Sequence, residues 1–189
     1  IATFGTAQIA ANAVANNLDG MAILGGQALG LATITVVGQC VGAGDYAQAR
    51  RYNRKLMLIS WLLIAASVAA ILTSLPLLLN LYNISDEARV LSAQLVRLHN
   101  IPAIALWCLS FTLPNTLRAA GDARFTMVVS IVSMAVFRIG FSVVLGIWMG
   151  LGAIGVWIAM DIDWACRVIC FVARYFSGAW TRKYQNYQA

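Results

Sequence analysis

Asn12, Asn16 and Asp19 recur at i, i+4 and i+7 just before a long apolar run. At about 100° per residue, these three side chains share one face of a helix, and Gly26, Gln27 and Gly30 fall close to the same stripe. The run from Ala10 to Ala15 is alanine-rich and favours helix from near Thr6. A carboxylate flanked by neutral amides is a ligand set for a cation or a proton, and small residues beside it let a helix or a solute approach closely. A polar, small-residue face on an apolar helix therefore predicts a cavity wall, with Asp19, Asn12, Asn16 and Gln27 as the substrate- or cation-binding candidates. The competing reading makes Asp19 a hydrated residue at the membrane interface. Spacing alone leaves both open.

A second group carries charge into apolar sequence. Arg138 lies thirteen residues past Phe125, and Asp163 thirteen residues before Phe176. At 1.5 Å per residue both reach a depth of ~20 Å on adjacent antiparallel helices. That predicts an Arg138–Asp163 contact, with Arg167, at i+4 from Asp163, as a second partner. Asp161 points nearly the opposite way. We expect Arg138, Asp163 and Arg167 to form a structural charge cluster. His99, with Asn100 beside it, could relay protons or make a helix–helix hydrogen bond, and the second fits better. The six tryptophans are expected as packing or interfacial residues.

Much chemistry lacks its parts. There is no Walker loop, no paired catalytic carboxylates and no nucleophile–base motif, so the sequence reads as a non-enzyme. Cys40, Cys108, Cys166 and Cys170 all sit in or at the end of apolar runs, where cysteine behaves as a small hydrophobe. No metal site is expected.

These residues must be positioned by helices that cross a membrane. Apolar stretches cover about residues 6–41, 54–80, 88–114, 124–146 and 151–176, each long enough for the ~20 residues that a ~30 Å hydrocarbon core requires. With 61% apolar and 11% charged residues, the composition is far from that of a soluble domain. The net charge of +6 follows the gaps between spans. Arg50, Arg51, Arg54, Lys55, Arg118, Arg124, Arg174, Arg182 and Lys183 fall on one side, and Arg89 stands alone on the other. Short basic loops stay in the cytoplasm, so the chain should start outside and end inside. The charge is a topology signal, and no nucleic-acid partner is expected. The expected fold is an all-α, polytopic bundle of five transmembrane helices.

Turn chemistry supports these boundaries. Gly44-Asp45 and Gly121-Asp122 suit helix ends followed by N-caps, with Gln48 completing a capping box, and Ser85 caps the third helix. Pro102 and Pro114 predict a bent third span. A chain that begins at Ile1, outside, with an odd number of spans and no leader, is expected to be a fragment.

The motifs then resemble a known family. Ala28-Leu29-Gly30-Leu31-Ala32-Thr33, running into Val37-Gly38-Gln39 and Gly42-Ala43-Gly44-Asp45, resembles the eighth helix and following loop of multidrug and toxic compound extrusion (MATE) transporters. Leu117-Arg118-Ala119-Ala120-Gly121-Asp122-Ala123-Arg124-Phe125 is similar to the turn between their tenth and eleventh helices. Gly155-Val156-Trp157-Ile158-Ala159-Met160, with Asp163-Trp164, Arg167, Arg174 and Ser177-Gly178-Ala179-Trp180, resembles their final helix.

That resemblance implies twelve helices in two six-helix lobes around a central cavity, and exchange of a solute, often an organic cation, against inward Na⁺ or H⁺. It makes this chain helices eight to twelve of the C-terminal lobe, completed by a missing N-terminal lobe. The implied setting is the plasma (inner) membrane, multi-pass, with the C-terminus cytoplasmic. No cofactor is implied beyond the coupling ion. Asp19 matches an acidic residue that many relatives carry on helix eight. Some members also place an Asp in the middle of helix ten, and the comparable stretch here, Ala103 to Phe111, has no carboxylate. Two alternatives stay open. A related lipid-linked saccharide flippase would show a cationic, arginine-lined cavity, of which the sequence gives little sign. A membrane enzyme or non-transporting helical subunit would need a catalytic cluster at one membrane face.

Overall fold

Hydrogen bonding confines a chain in lipid to helices or closed barrels, and this one takes the helical route. The computed structural model describes residues 1 and 4–180, so Arg182 and Lys183 of the topology signal lie outside the described residues. Five helices follow in order: α1, Thr6–Gly42; α2, Tyr46–Asn80; α3, Asp86–Ala119; α4, Ala123–Trp148; and α5, Gly152–Phe176. There is no strand among the described residues. Helices α1 to α4 are long and apolar enough to cross a membrane. Helix α5 has 25 residues but carries Asp161, Asp163 and Arg167 near its middle. Asp163 and Arg167 are buried against neighbouring helices, so their charge does not meet lipid.

The 37 residues of α1 make a rod of about 55 Å, well beyond the ~30 Å of a hydrocarbon core. Helix α2 is similar, with 35 residues, and its first turns expose Arg50, Arg51, Arg54 and Lys55. The caps follow local chemistry. The Asp45 side chain accepts from Gln48 N–H at 2.8 Å, after Gly44 turns the chain at φ 75°. Ser85 accepts from Ala88 N–H at 3.3 Å. Asp122 does not cap its helix through its side chain. Its carboxylate instead takes Arg174 Nε at 2.7 Å, tying the α3–α4 turn to the end of α5.

Helix α1 packs on α2 and α3, and α5 packs on α3 and α4. Lipid tails do not drive apolar side chains together, so close backbone approach and interhelical hydrogen bonds carry the association. Gly26 supplies the first: a Cβ there would fall 2.6 Å from both Ile64 Cδ1 and Trp107 Cζ3. The second ties α3 to α1, α2 and α5, and α1 to α5. Thr116 Oγ1 donates to Asn53 Oδ1 at 2.6 Å, Asn115 Nδ2 to the Gly30 carbonyl at 3.0 Å, and Ser110 Oγ to the Trp164 carbonyl at 2.9 Å. Gln8 Oε1 accepts from Ala153 N–H at 2.8 Å.

Helix α3 contains a π-helical turn, Cys108–Thr112, in which Leu113 N–H reaches back to the Cys108 carbonyl. Pro114 follows directly, has no N–H to give and crowds the preceding turn, so a wider turn relieves it. Helix α4 contains two such stretches, Met134–Gly140 and Val144–Trp148. Most of α4 is exposed and apolar, with Met127, Ile131 and Ile139 facing outward.

A close backbone-to-backbone contact joins α4 to α5. A Cβ on Gly155 would lie 2.6 Å from Leu145 C and 2.7 Å from its carbonyl oxygen, both backbone atoms. Gly155→Ala should therefore lower stability by about 1–3 kcal/mol, the usual cost of overpacking. Gly20→Ala, which meets nothing within 4 Å, is the matched control. Comparing melting temperatures of the two purified variants checks this, and equal values would contradict the packing.

Candidate functional site

One face of α1 becomes the wall of a cavity of about 530 Å³. Asn16, Asp19, Ile23, Gln27, Gly30 and Ile34 line it at intervals of three and four residues, as one helical stripe should. The opposite wall is aromatic. Trp107 stacks on Phe111 at 5.2 Å, and Phe111 meets Trp164 edge-on at 5.2 Å. The π-helical turn of α3 carries Phe111, so the local irregularity near Pro114 helps to build this wall. Trp107 and Trp164 are thus cavity residues, where packing or an interface was expected.

Asp19 is 9% exposed. Its Oδ1 stands 3.6 Å from His99 Nε2 on α3. The other ring nitrogen, Nδ1, is 2.6 Å from Asp161 Oδ1 on α5. One fully buried imidazole therefore lies between carboxylates from two other helices, hydrogen-bonded to Asp161. Trp157 and Trp164 pack against its ring at 4.9 and 4.5 Å. The helix–helix hydrogen bond expected of His99 is present, with Asp161 as its partner.

Of the four α1 candidates, Asp19, Asn16 and Gln27 line the cavity. Asn12 instead braces the aromatic shell around His99. Its Oδ1 accepts from Trp157 Nε1 at 3.0 Å, holding the indole that packs on the imidazole. Asn16 Nδ2 donates back to the Asn12 carbonyl at 2.8 Å.

The charge cluster needs correction. Asp163 is fully buried and paired with Arg167, whose Nε donates to Oδ1 at 3.0 Å and whose Nη2 lies 2.8 Å from Oδ2. Ser133 Oγ of α4 donates to the same Oδ1. The expected Arg138–Asp163 contact is not among the ion pairs of the described residues. Arg138 lines the cavity instead, and its Nη2 lies 3.0 Å from Met160 Sδ. The reason is register. Ser133, not Arg138, stands opposite Asp163, because the span ends used for counting depth are not level: Phe125 packs on Phe171, five residues before Phe176.

Other lining residues escaped the sequence reading. Arg118 counted there only as a loop charge, yet it lines the cavity, with Nη1 donating to Asn115 Oδ1 at 2.9 Å. Two arginines, Arg118 and Arg138, thus face the space that Asp19 faces. Asp161 was set apart from Asp163 by direction but received no partner. A lone histidine and a spare intramembrane carboxylate on different spans were the only signal for that pair.

The comparisons agree with this architecture. The MatE family model matches residues 1–144. An uncharacterized transporter, YisQ, of Bacillus subtilis (strain 168) is 27% identical over 187 residues, covering 97% of this chain and 40% of its own length. Multidrug and toxin extrusion protein 1 of Oryctolagus cuniculus is 22% identical over 182 residues, covering 96% of this chain and 32% of its own length. The chain thus spans about two fifths and one third of these relatives. No solved structure gives a significant match. A family match over most of the chain, on a bundle of long apolar helices with a polar cavity, leads to one assignment: this chain belongs to the MatE family.

Proposed function

We propose that this chain is the C-terminal-lobe portion, helices eight to twelve, of a cation-coupled multidrug efflux antiporter working by alternating access. The observation that carries the reading is Asp19, a carboxylate on the wall of a 530 Å³ cavity whose other wall is aromatic. That volume lies in the range of drug-sized ligand sites, about 300–1,000 Å³. Indole and phenyl faces attract organic cations, and a carboxylate supplies the counter-charge. Inward Na⁺ or H⁺ drives the exchange. The N-terminal lobe supplies the rest of the cavity. The protein sits in the plasma (inner) membrane with its first residues outside and its C-terminus in the cytoplasm, as the basic loops favour.

A second reading has one observation in its favour. Arg118 and Arg138 in the cavity suit an anionic solute, including the phosphate of a lipid-linked saccharide.

Reconstituting the full-length protein in liposomes tests both. An imposed gradient of the coupling cation should drive a fluorescent organic cation across the membrane against its own gradient. Movement that ignores every cation gradient overturns the antiporter. Selective movement of an anionic lipid-linked saccharide would select the second reading.

A further inference from the structure

Toward the N-terminal ends of α3 and α5, the seam between them opens into a groove of about 490 Å³. Gln94, Arg97, Leu98, Ile101 and Ile154 line it. Gln94, Arg97 and Ile101 are exposed and share one helical stripe of α3 with Val90. Arg97 takes part in none of the ion pairs of the described residues. Arg89, two turns earlier, is paired with Asp86. Glu87 is ten residues from Arg97, about 15 Å along the helix and beyond ion-pair reach. A cation carried into a membrane span is normally paired, so Arg97 calls for an anion from outside the described residues.

The height of Arg97 says which anion. Helices α3 and α5 run in the same direction, and His99 packs against Trp157 at 4.9 Å, so the two helices are level there. Five residues toward the start of each lie Gln94 and Gly152, the first residue of α5. Gln94 therefore stands level with the uncharged turn that joins α4 to α5. Trp148 leads into that turn 77% exposed, as an interfacial tryptophan does. Arg97 is one turn deeper, where its long side chain reaches back to the headgroup layer. One turn further, Ile101 is 59% exposed at hydrocarbon depth. Polar groups at the interface above an apolar floor match the two parts of a phospholipid.

We propose that this groove binds one anionic phospholipid of the leaflet at which α3 and α5 begin, the outer leaflet in the topology above. The phosphate accepts from the Arg97 guanidinium and the Gln94 amide, and an acyl chain lies along Leu98, Ile101 and Ile154. A guanidinium fork suits phosphate oxygens, which it can hold through two parallel hydrogen bonds. No carboxylate lines the groove to receive the ammonium of a zwitterionic headgroup. The charge balance thus selects an anionic headgroup such as phosphatidylglycerol. Seated there, the lipid spans the seam and braces α3 against α5 from the membrane side. The site is independent of the solute and the ion that the cavity takes, so it goes beyond the antiporter reading.

Photocrosslinking in the full-length protein tests this. Ile101 is replaced by p-benzoylphenylalanine, and the protein is irradiated in liposomes that hold phosphatidylethanolamine in excess over phosphatidylglycerol. Mass spectrometry of the labelled peptide should show mainly phosphatidylglycerol adducts. Arg97→Gln should lower their yield roughly fivefold, the worth of one basic residue at an anionic surface. Arg97→Lys, which keeps the charge, should recover part of that loss. Arg51→Gln, in the basic loop at the other membrane face, should leave the yield in place, and an equal fall there would overturn the site. Soluble glycerol phosphate, the headgroup chemistry without chains, should not compete. Competition by it would show a free-anion site and overturn the lipid. Crosslinking to another segment of the protein overturns the proposal as well, because the groove then seats a helix. So do adducts that follow the bulk lipid composition in wild type and Arg97→Gln alike, which would show ordinary lipid contact only.

Discussion

Arg167→Met should destabilise the protein by about 3–5 kcal/mol, the cost of leaving one partner of a buried ion pair behind. Asp163 has no exposed surface and its Arg167 partner is 10% exposed at the side chain. Without the guanidinium, the carboxylate keeps only the Ser133 hydroxyl. Arg167 also donates through Nη2 to the Ser130 carbonyl at 3.4 Å and sits 5.9 Å above the Phe111 ring, so its loss loosens α4 and one cavity wall together. Against a typical total of about 5–15 kcal/mol, the loss is large. The double variant Asp163→Leu/Arg167→Met removes both charges and should recover most of it, as replacement of buried ion pairs by apolar residues often does. Thermal melts of the purified full-length variants check both statements. A wild-type melting temperature for Arg167→Met would show that the pair does not hold the bundle.

For function, the largest effect is expected at Asp19. Asp19→Asn should reduce gradient-driven export by roughly 5- to 150-fold, the range of a coupling free energy of about 1–3 kcal/mol between ion and solute. Folding should survive, because an Asn amide can donate to His99 Nε2 and satisfy the atom that the carboxylate leaves unpartnered. Dye export from cells at matched expression measures the loss, and size-exclusion profiles measure the folding. Export at the wild-type rate would remove Asp19 from the coupling step.

Some of this was legible without coordinates because it is local. The Asn16–Asp19–Gln27 stripe follows from helical periodicity, and the structure places all three on one cavity wall. Asp45 and Ser85 cap their helices because a side-chain oxygen three residues before a free N–H needs no tertiary help. The Asp163–Arg167 pair is an i, i+4 contact that any α-helix would bring together. The membrane-spanning character follows from runs of apolar residues and the positions of Lys and Arg. What periodicity could not supply was which helix faces which, and at what height.

Arg138 shows the limit. Its depth was counted from Phe125 and Phe176 as if the two were level, but Phe125 packs on Phe171, so Ser133 reaches Asp163 and Arg138 turns to the cavity. Arg118 shows the same limit at a helix end, where a topological charge proves to be a cavity residue. The Asp19–His99–Asp161 bridge joins positions 19, 99 and 161 from three helices, and no spacing rule relates them. Periodicity along one helix is set by the backbone and can be read from the sequence. The rotation and height of one helix against another are set by glycine contacts, proline-induced turns and interhelical hydrogen bonds acting together, and only the packed bundle resolves them.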